Sequence, residues 1–162
     1  MKYASIRNLD IANGPGVRCS IFVSGCEQRC KGCFQPETWN FDYGNEFTEE
    51  TIQLLLEYAK PVHISGISIL GGEPMHPCNR EEVLNLVKRF KSAYPEKTVW
   101  LWTGYLWEDL VSDLVDSGID VIVDGKFVEE LKDLRLKYCG SSNQRVIDVK
   151  ASIKNDNITL LA

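Results

Sequence analysis

The sequence predicts an α/β domain on a mainly parallel sheet that closes only partway into a barrel. Strand-like and helix-like segments alternate, which favours parallel strands joined by right-handed helical crossovers. The loops with unusual residues all follow predicted strands. The chain's 162 residues suit one domain, residues 1–162. A complete eight-unit barrel takes about 250 residues, so a partial, open (βα) barrel is expected.

A first strand is expected at residues 3–7. The turn Asn13-Gly14-Pro15-Gly16 separates it from a second at 17–24, whose β-branched and aromatic run stops at Gly25. A helix starts at Thr48, an N-cap followed by Glu49 and Glu50. It presents Ile52, Leu55, Leu56 and Ala59 on one face and ends before Pro61. The short, glycine-bounded run 66–70 reads as a buried strand leading straight into Gly71-Gly72-Glu73-Pro74. Asn79 and Glu82 make a capping-box-like start for a helix carrying Val83, Leu86, Val87, Phe90 and Tyr94, which Pro95 stops. Residues 98–102 form the next strand. A helix over 106–116 follows with Leu110, Val111, Leu114 and Val115, and Gly118 as its C-terminal cap. Residues 119–123 are a strand, 128–134 a short helical stretch, and 145–149 a last central strand. The C-terminal ends of parallel strands share one side of a sheet, so loops 26–34, 71–74, 103–105 and 124–127 should line one site.

The formal net charge is −5, without a block of basic residues, which argues against nucleic-acid binding. No stretch approaches the roughly 18 to 20 apolar residues that span a bilayer, and the N-terminal segment lacks a signal core, so no membrane partner and a cytoplasmic location are expected. The six cysteines then read as reduced thiols. Cys19, in an apolar run, is expected in the core; Cys78 and Cys139 are candidates for redox or site-edge roles. The remaining three stand together in Cys26-Glu27-Gln28-Arg29-Cys30-Lys31-Gly32-Cys33. Structural zinc wants four protein ligands, whereas a four-iron cluster on three thiolates leaves one iron open.

This C-x3-C-x2-C spacing after a strand, followed after the next helix by a strand ending in Gly71-Gly72-Glu73-Pro74, resembles the radical S-adenosylmethionine enzymes. The resemblance implies a partial barrel of that type. It implies one 4Fe-4S cluster on Cys26, Cys30 and Cys33, with the amino and carboxylate groups of S-adenosyl-L-methionine on the fourth iron. Gly71 and Gly72 would let the backbone approach the methionine end of the cofactor, Glu73 would accept from its ammonium group, and Pro74 would stiffen the turn. Many relatives carry an aromatic residue where this chain has Gly32. Backbone at Gly32 and Cys33, together with Phe34, would then meet the adenine. Lys31 and Gln35 stand where relatives often have Pro and Asn.

Finer matches are Asn13-Gly14-Pro15-Gly16-Val17-Arg18, Phe22-Val23-Ser24-Gly25-Cys26, Thr103-Gly104-Tyr105, Val123-Asp124-Gly125-Lys126-Phe127 and Gly140-Ser141-Ser142-Asn143-Gln144-Arg145. Together they look like one branch, the activases of anaerobic (class III) ribonucleotide reductase. That likeness implies an oxidoreductase that takes an electron from a reduced flavodoxin-type donor and cleaves S-adenosylmethionine to a 5'-deoxyadenosyl radical. The radical makes a glycyl radical on the reductase's large subunit. Such chemistry belongs to the cofactor, so no catalytic acid or base is assigned, and His63 and His76 read as hydrogen-bonded or solvent-facing residues. Arg18 and Ser141-Ser142-Asn143 stay open between turn building and contacts to cofactor or reductase. Trp39, Trp100, Trp102 and Trp107 are expected in the core or an interface. Two other readings share some of these residues. One is the activase of another glycyl-radical enzyme, of formate-lyase type. The other is a non-catalytic zinc or electron-transfer module with Cys19, Cys78 or Cys139 as fourth ligand, which leaves Gly71-Gly72-Glu73-Pro74 unexplained.

Overall fold

A computed structural model describes residues 1–161. The chain runs through β1 (Lys2–Asp10), β2 (Val17–Val23), β3 (Asn45–Glu46), α1 (Glu49–Ala59), β4 (Ile64–Gly71), α2 (Arg80–Ala93) and β5 (Thr98–Trp102). It continues through α3 (Trp107–Leu114), β6 (Val121–Asp124), β7 (Arg145–Asp148) and α4 (Val149–Asn155), with 3-10 turns at Pro36–Trp39 and Glu129–Leu131. The strands form one seven-stranded sheet in the order β3-β1-β2-β4-β5-β6-β7. The pairs β2–β4, β4–β5 and β5–β6 are parallel; β1–β2, β1–β3 and β6–β7 are antiparallel. Each parallel pair is bridged by a helix, as a crossover requires, whereas the short β1–β2 connection permits only a hairpin.

The parallel centre and its three helices stand where the sequence predicts them, and the flanks differ. β1 extends three residues beyond the expected Arg7. β7 is an antiparallel edge strand instead of a central one, and Val149 opens α4, where Asp148 accepts from the Ala151 N–H at 3.0 Å. The helix expected over 128–134 is a single 3-10 turn. Asn79 does not cap α2 with its side chain, whose amide instead donates to the Ser24 and Glu73 carbonyls, both at 3.0 Å. Glu82 lies 2.7 Å from the Met1 amino group. In α3, Trp107, Leu110 and Leu114 face the core, whereas Val111 and, just after the helix, Val115 are exposed.

One face of the sheet is the core. Cys19, Ile21, Val23, Ile67, Ile69, Val99, Leu101, Ile122 and Ile147 pack against Leu55, Val83, Leu86, Val87, Phe90, Leu110 and Leu114. Full burial contributes ~1.5–3 kcal/mol for each large apolar side chain. Alternate strand residues point to the other face, whose buried cluster contains no helix residue among the described residues. There Trp100, Val121, Val123 and Val146 form a smaller cluster with Trp102 and Tyr138. Arg18 lies fully buried on this side. Its guanidinium donates to Ser68 Oγ, Thr98 Oγ1 and the Ile67, Thr98 and Pro15 carbonyls, at 2.8 to 3.4 Å. Burial pulls its pKa down to about 10, which still leaves it charged near neutral pH. Among the described residues, no helix is long and apolar enough to cross a membrane.

Candidate functional site

The C-terminal ends of β2, β4, β5 and β6 open onto one cavity of about 530 Å³, a size typical of small-molecule sites. Its wall carries Cys26, Cys30, Cys33 and Phe34 from the first loop, Gly71, Gly72 and Glu73 from the second, Thr103 and Gly104 from the third, and Gly125 and Phe127 from the fourth. It extends along the sheet face opposite the core, over Phe22, Leu70 and Trp102, with Tyr138 of the 132–141 segment packed on the same face. All four strand-end loops thus meet as the parallel order predicts.

The cysteine loop is rooted at Gly25, whose N–H donates to the Thr38 carbonyl at 2.7 Å while Cys26 N–H reaches the Trp39 carbonyl at 3.2 Å. A side chain at Gly25 would collide with the Phe41 ring, and its φ is +102°. Beyond the root the loop has few bonds of its own: Gln28 N–H donates to Cys26 Sγ at 3.4 Å, and Cys33 N–H to the Cys30 carbonyl at 3.1 Å. Burial pushes the Cys26 and Cys30 thiols up, so a metal is what would keep them as thiolates near neutral pH. No three or more His, Cys, Asp or Glu side chains among the described residues gather tightly enough for a single metal ion. A cubane binds each thiolate at a different iron, so it needs thiols around a space instead of a point.

The second loop is glycine for a steric reason. A Cβ on Gly71 (φ +118°) would lie 2.5 Å from the Val23 backbone, and one on Gly72 would lie 2.8 Å from the Gly25 and Thr38 carbonyl oxygens. Gly72 N–H donates to the Val23 carbonyl and Glu73 N–H to the Gly25 carbonyl, both at 2.8 Å. This backbone therefore lies directly against the root of the cysteine loop. Glu73 is 1% exposed. Its carboxylate accepts from Met75 N–H at 2.8 Å, Thr103 Oγ1 at 2.7 Å and Gly104 N–H at 2.6 Å. Burial pushes the carboxyl pKa up, while these three donors favour the charged form.

The fourth loop is fixed from below by Asp124. It is fully buried and accepts from the Trp107 N–H at the start of α3 (2.7 Å) and from Arg145 Nε (3.0 Å). Gln144 Nε2 donates to the Gly125 carbonyl at 2.9 Å and Asn143 Nδ2 to the Lys126 carbonyl at 2.7 Å; Ser141 Oγ accepts from Val128 N–H at 3.1 Å. Arg18, Ser141 and Asn143 thus make internal bonds that build turns, while Ser142 and Asn143 stay exposed.

Other expected residues fall in varied places. Gly32 is not part of the cavity wall: its φ is +77°, and a Cβ there would meet the Glu129 carboxyl at 3.0 Å, so the turn itself accounts for glycine. Phe34 is 63% exposed, with its ring 5.3 Å from that of Phe127. Cys19 lies in the core, where burial raises its thiol pKa to about 11. Cys78 is exposed, whereas Cys139 lines the cavity. Trp107 joins the main core and Trp100 the smaller cluster; Trp39 lies under Arg29, and both Trp39 and Trp102 reach the cavity wall. His63 is exposed, and His76 is buried beneath the cysteine loop with its Nε2 3.2 Å from Glu27. Gln28, Thr38 and Tyr138 also line the cavity. Sequence reasoning missed them, and no periodicity or spacing marks them.

Comparison with known proteins adds an independent finding. The 4Fe-4S single cluster domain family matches residues 12–147. The chain is 43% identical over 152 residues to the anaerobic ribonucleoside-triphosphate reductase-activating protein of Vibrio cholerae, covering 89% of this chain and 96% of that protein. The protein of the same name from Enterobacteria phage T4 is 42% identical over 146 residues (90% and 93% coverage). That from Escherichia coli is 43% identical over 151 residues (90% and 97%).

Proposed function

The chain belongs to the 4Fe-4S single cluster domain family and, within it, to the anaerobic ribonucleoside-triphosphate reductase-activating proteins; on that premise we propose that it is the iron–sulfur enzyme that installs a glycyl radical on the large subunit of that reductase. Cys26, Cys30 and Cys33 would hold the 4Fe-4S cluster, and S-adenosylmethionine would occupy the cavity beside it. When bound and reduced by a flavodoxin-type donor, the cluster supplies the electron that cleaves the sulfonium to methionine and a 5'-deoxyadenosyl radical able to take hydrogen from a glycine.

The observation that carries this reading is the shared wall. Three thiols and the Gly71-Gly72 backbone face one cavity, at a place where side chains are sterically excluded. Gly71 and Gly72 leave the backbone free to approach the methionine end of the cofactor. Glu73 already accepts three protein hydrogen bonds, so its main part is to set the path of that backbone. Phe34 and Phe127, two of the aromatic residues in the wall, would face the adenine together with backbone at Cys33. The mouth of the cavity is read as the open side of a partial barrel, through which a glycine-bearing segment of the reductase enters and excludes water. The whole chain acts as one domain in the cytoplasm.

Anaerobic reconstitution with iron and sulfide, then dithionite and S-adenosylmethionine, tests the proposal. The expected result is about four irons per chain, formation of 5'-deoxyadenosine, and a glycyl radical signal on the reductase but not on a formate lyase. A colourless zinc protein, or a cluster that never cleaves the cofactor, would overturn it.

A further inference from the structure

The residue that ties the cysteine loop to the rest of the site is a histidine that the chemistry above does not use. His76 is 7% exposed and its ring packs against Phe41, with centroids 4.7 Å apart. Its Nδ1 accepts from the Cys78 N–H at 3.0 Å, which puts the ring proton on Nε2. Nε2 lies 3.2 Å from Oε1 of Glu27, the residue directly after Cys26; the Glu27 side chain is 74% exposed, and the ring it meets is buried. At the other end of the same segment, the Asn79 amide joins the Ser24 and Glu73 carbonyls. Residues 73–79 therefore grip the cysteine loop twice, at its root through backbone and Asn79, and beyond the first cysteine through His76. A further tie, Lys31 to Glu129 at 3.8 Å, joins two exposed side chains and is weakened by solvent. The His76 ring is held on two sides before it meets Glu27.

We propose that His76 is a positioning residue that fixes the cysteine loop against the Gly71-Gly72 backbone, so that a cofactor spanning the two meets both in register. The inference rests on reading residues 26–33 as the cluster loop. Loss of the tie leaves all three thiols in place. Cluster assembly should therefore survive while affinity for S-adenosylmethionine falls.

Two isosteric variants separate the two hydrogen bonds. His76→Asn keeps an acceptor at the Nδ1 position and removes the donor to Glu27. His76→Gln keeps that donor and gives up the acceptor, whose partner Cys78 N–H lies on an exposed residue. In iron-free protein, His76→Asn and Glu27→Ala should each speed amide exchange in residues 26–34 about two- to threefold, the scale of one hydrogen bond from a buried ring to a solvent-exposed carboxylate. Exchange in β2, β4 and β5 should stay unchanged. In reconstituted protein both should weaken S-adenosylmethionine binding by a similar factor at unchanged iron content, and the double variant should be no worse than either single one. His76→Gln should restore most of both. The proposal is overturned if His76→Asn matches wild type, if His76→Gln is equally impaired, if the two single effects add, or if faster exchange spreads through the sheet. Failure of the wild type to assemble a cluster overturns the functional reading instead, and the exchange measurement on iron-free protein still decides the role of His76.

Discussion

The two loops that frame the cavity leave adjacent strands, β2 and β4, and are built on opposite principles. Residues 73–76 and Asn79 are buried, and Glu73 and Asn79 alone take part in five side-chain hydrogen bonds. Past its root, the cysteine loop is mostly half-buried or exposed, with two internal bonds and single ties from Glu27 to His76 and from Lys31 to Glu129. One loop is finished by the protein. The other presents thiols and leaves much of its order to whatever binds them, as metal sites coupled to local folding do. The contrast suits a site in which a preformed backbone cradle receives one ligand while a metal completes the opposite wall.

The sharpest way to break the contrast is to remove the thiols. Alanine at Cys26, Cys30 or Cys33 should reduce bound iron to near zero and abolish 5'-deoxyadenosine formation, as read by iron assay and chromatography. Iron-free Cys30→Ala and Cys33→Ala should unfold in urea at the wild-type midpoint, because those two side chains are only half-buried. A shifted midpoint would show that the loop is held by the protein after all. Next in size, Glu73→Gln turns an amide toward the Thr103, Gly104 and Met75 donors. It should lower the urea-unfolding free energy of iron-free protein by about 2 kcal/mol, the cost of a buried donor without its acceptor. A smaller effect is expected from chelation. Stripping iron from the reconstituted protein should raise amide exchange about tenfold in residues 26–34 and little in 71–79, since a ligand stabilises mainly what it orders. The mildest perturbation is Cys19→Ala, which should cost about 1 kcal/mol of stability as a small core truncation and leave cofactor cleavage intact. The same thiol, raised to about 11, should resist alkylation at about pH 8 while Cys78 reacts.

Much of this arrangement can be read in the sequence because it is local or periodic. Strands β2, β4, β5 and β6 announce themselves by β-branched runs ending in glycine or a turn. Cys26, Cys30 and Cys33 announce a metal by spacing, and the parallel order brings their loop to Gly71-Gly72. What cannot be read is tertiary. Asn79 looks like a helix cap because the local pattern favours one, yet the Glu73 carbonyl of its own loop and the remote Ser24 carbonyl outcompete the helix end. Helix α4 buries only Val149 and Ser152 and so lacks an apolar repeat. Glu73 reads as a group aimed at a ligand; its partners at Thr103 and Gly104 lie a whole helix and strand further along. Glu27 and His76 are similarly remote in sequence, and neither belongs to a recognisable pattern.

The three bonds to Glu73 have a consequence for motion. One carboxylate accepts from its own loop through Met75 and from the β5 loop through Thr103 and Gly104, while its backbone N–H reaches Gly25 at the root of the cysteine loop. Thermal displacements of these three loops are therefore shared instead of independent. The carboxylate and its backbone N–H thus tie the relative positions of the three loops to one buried residue.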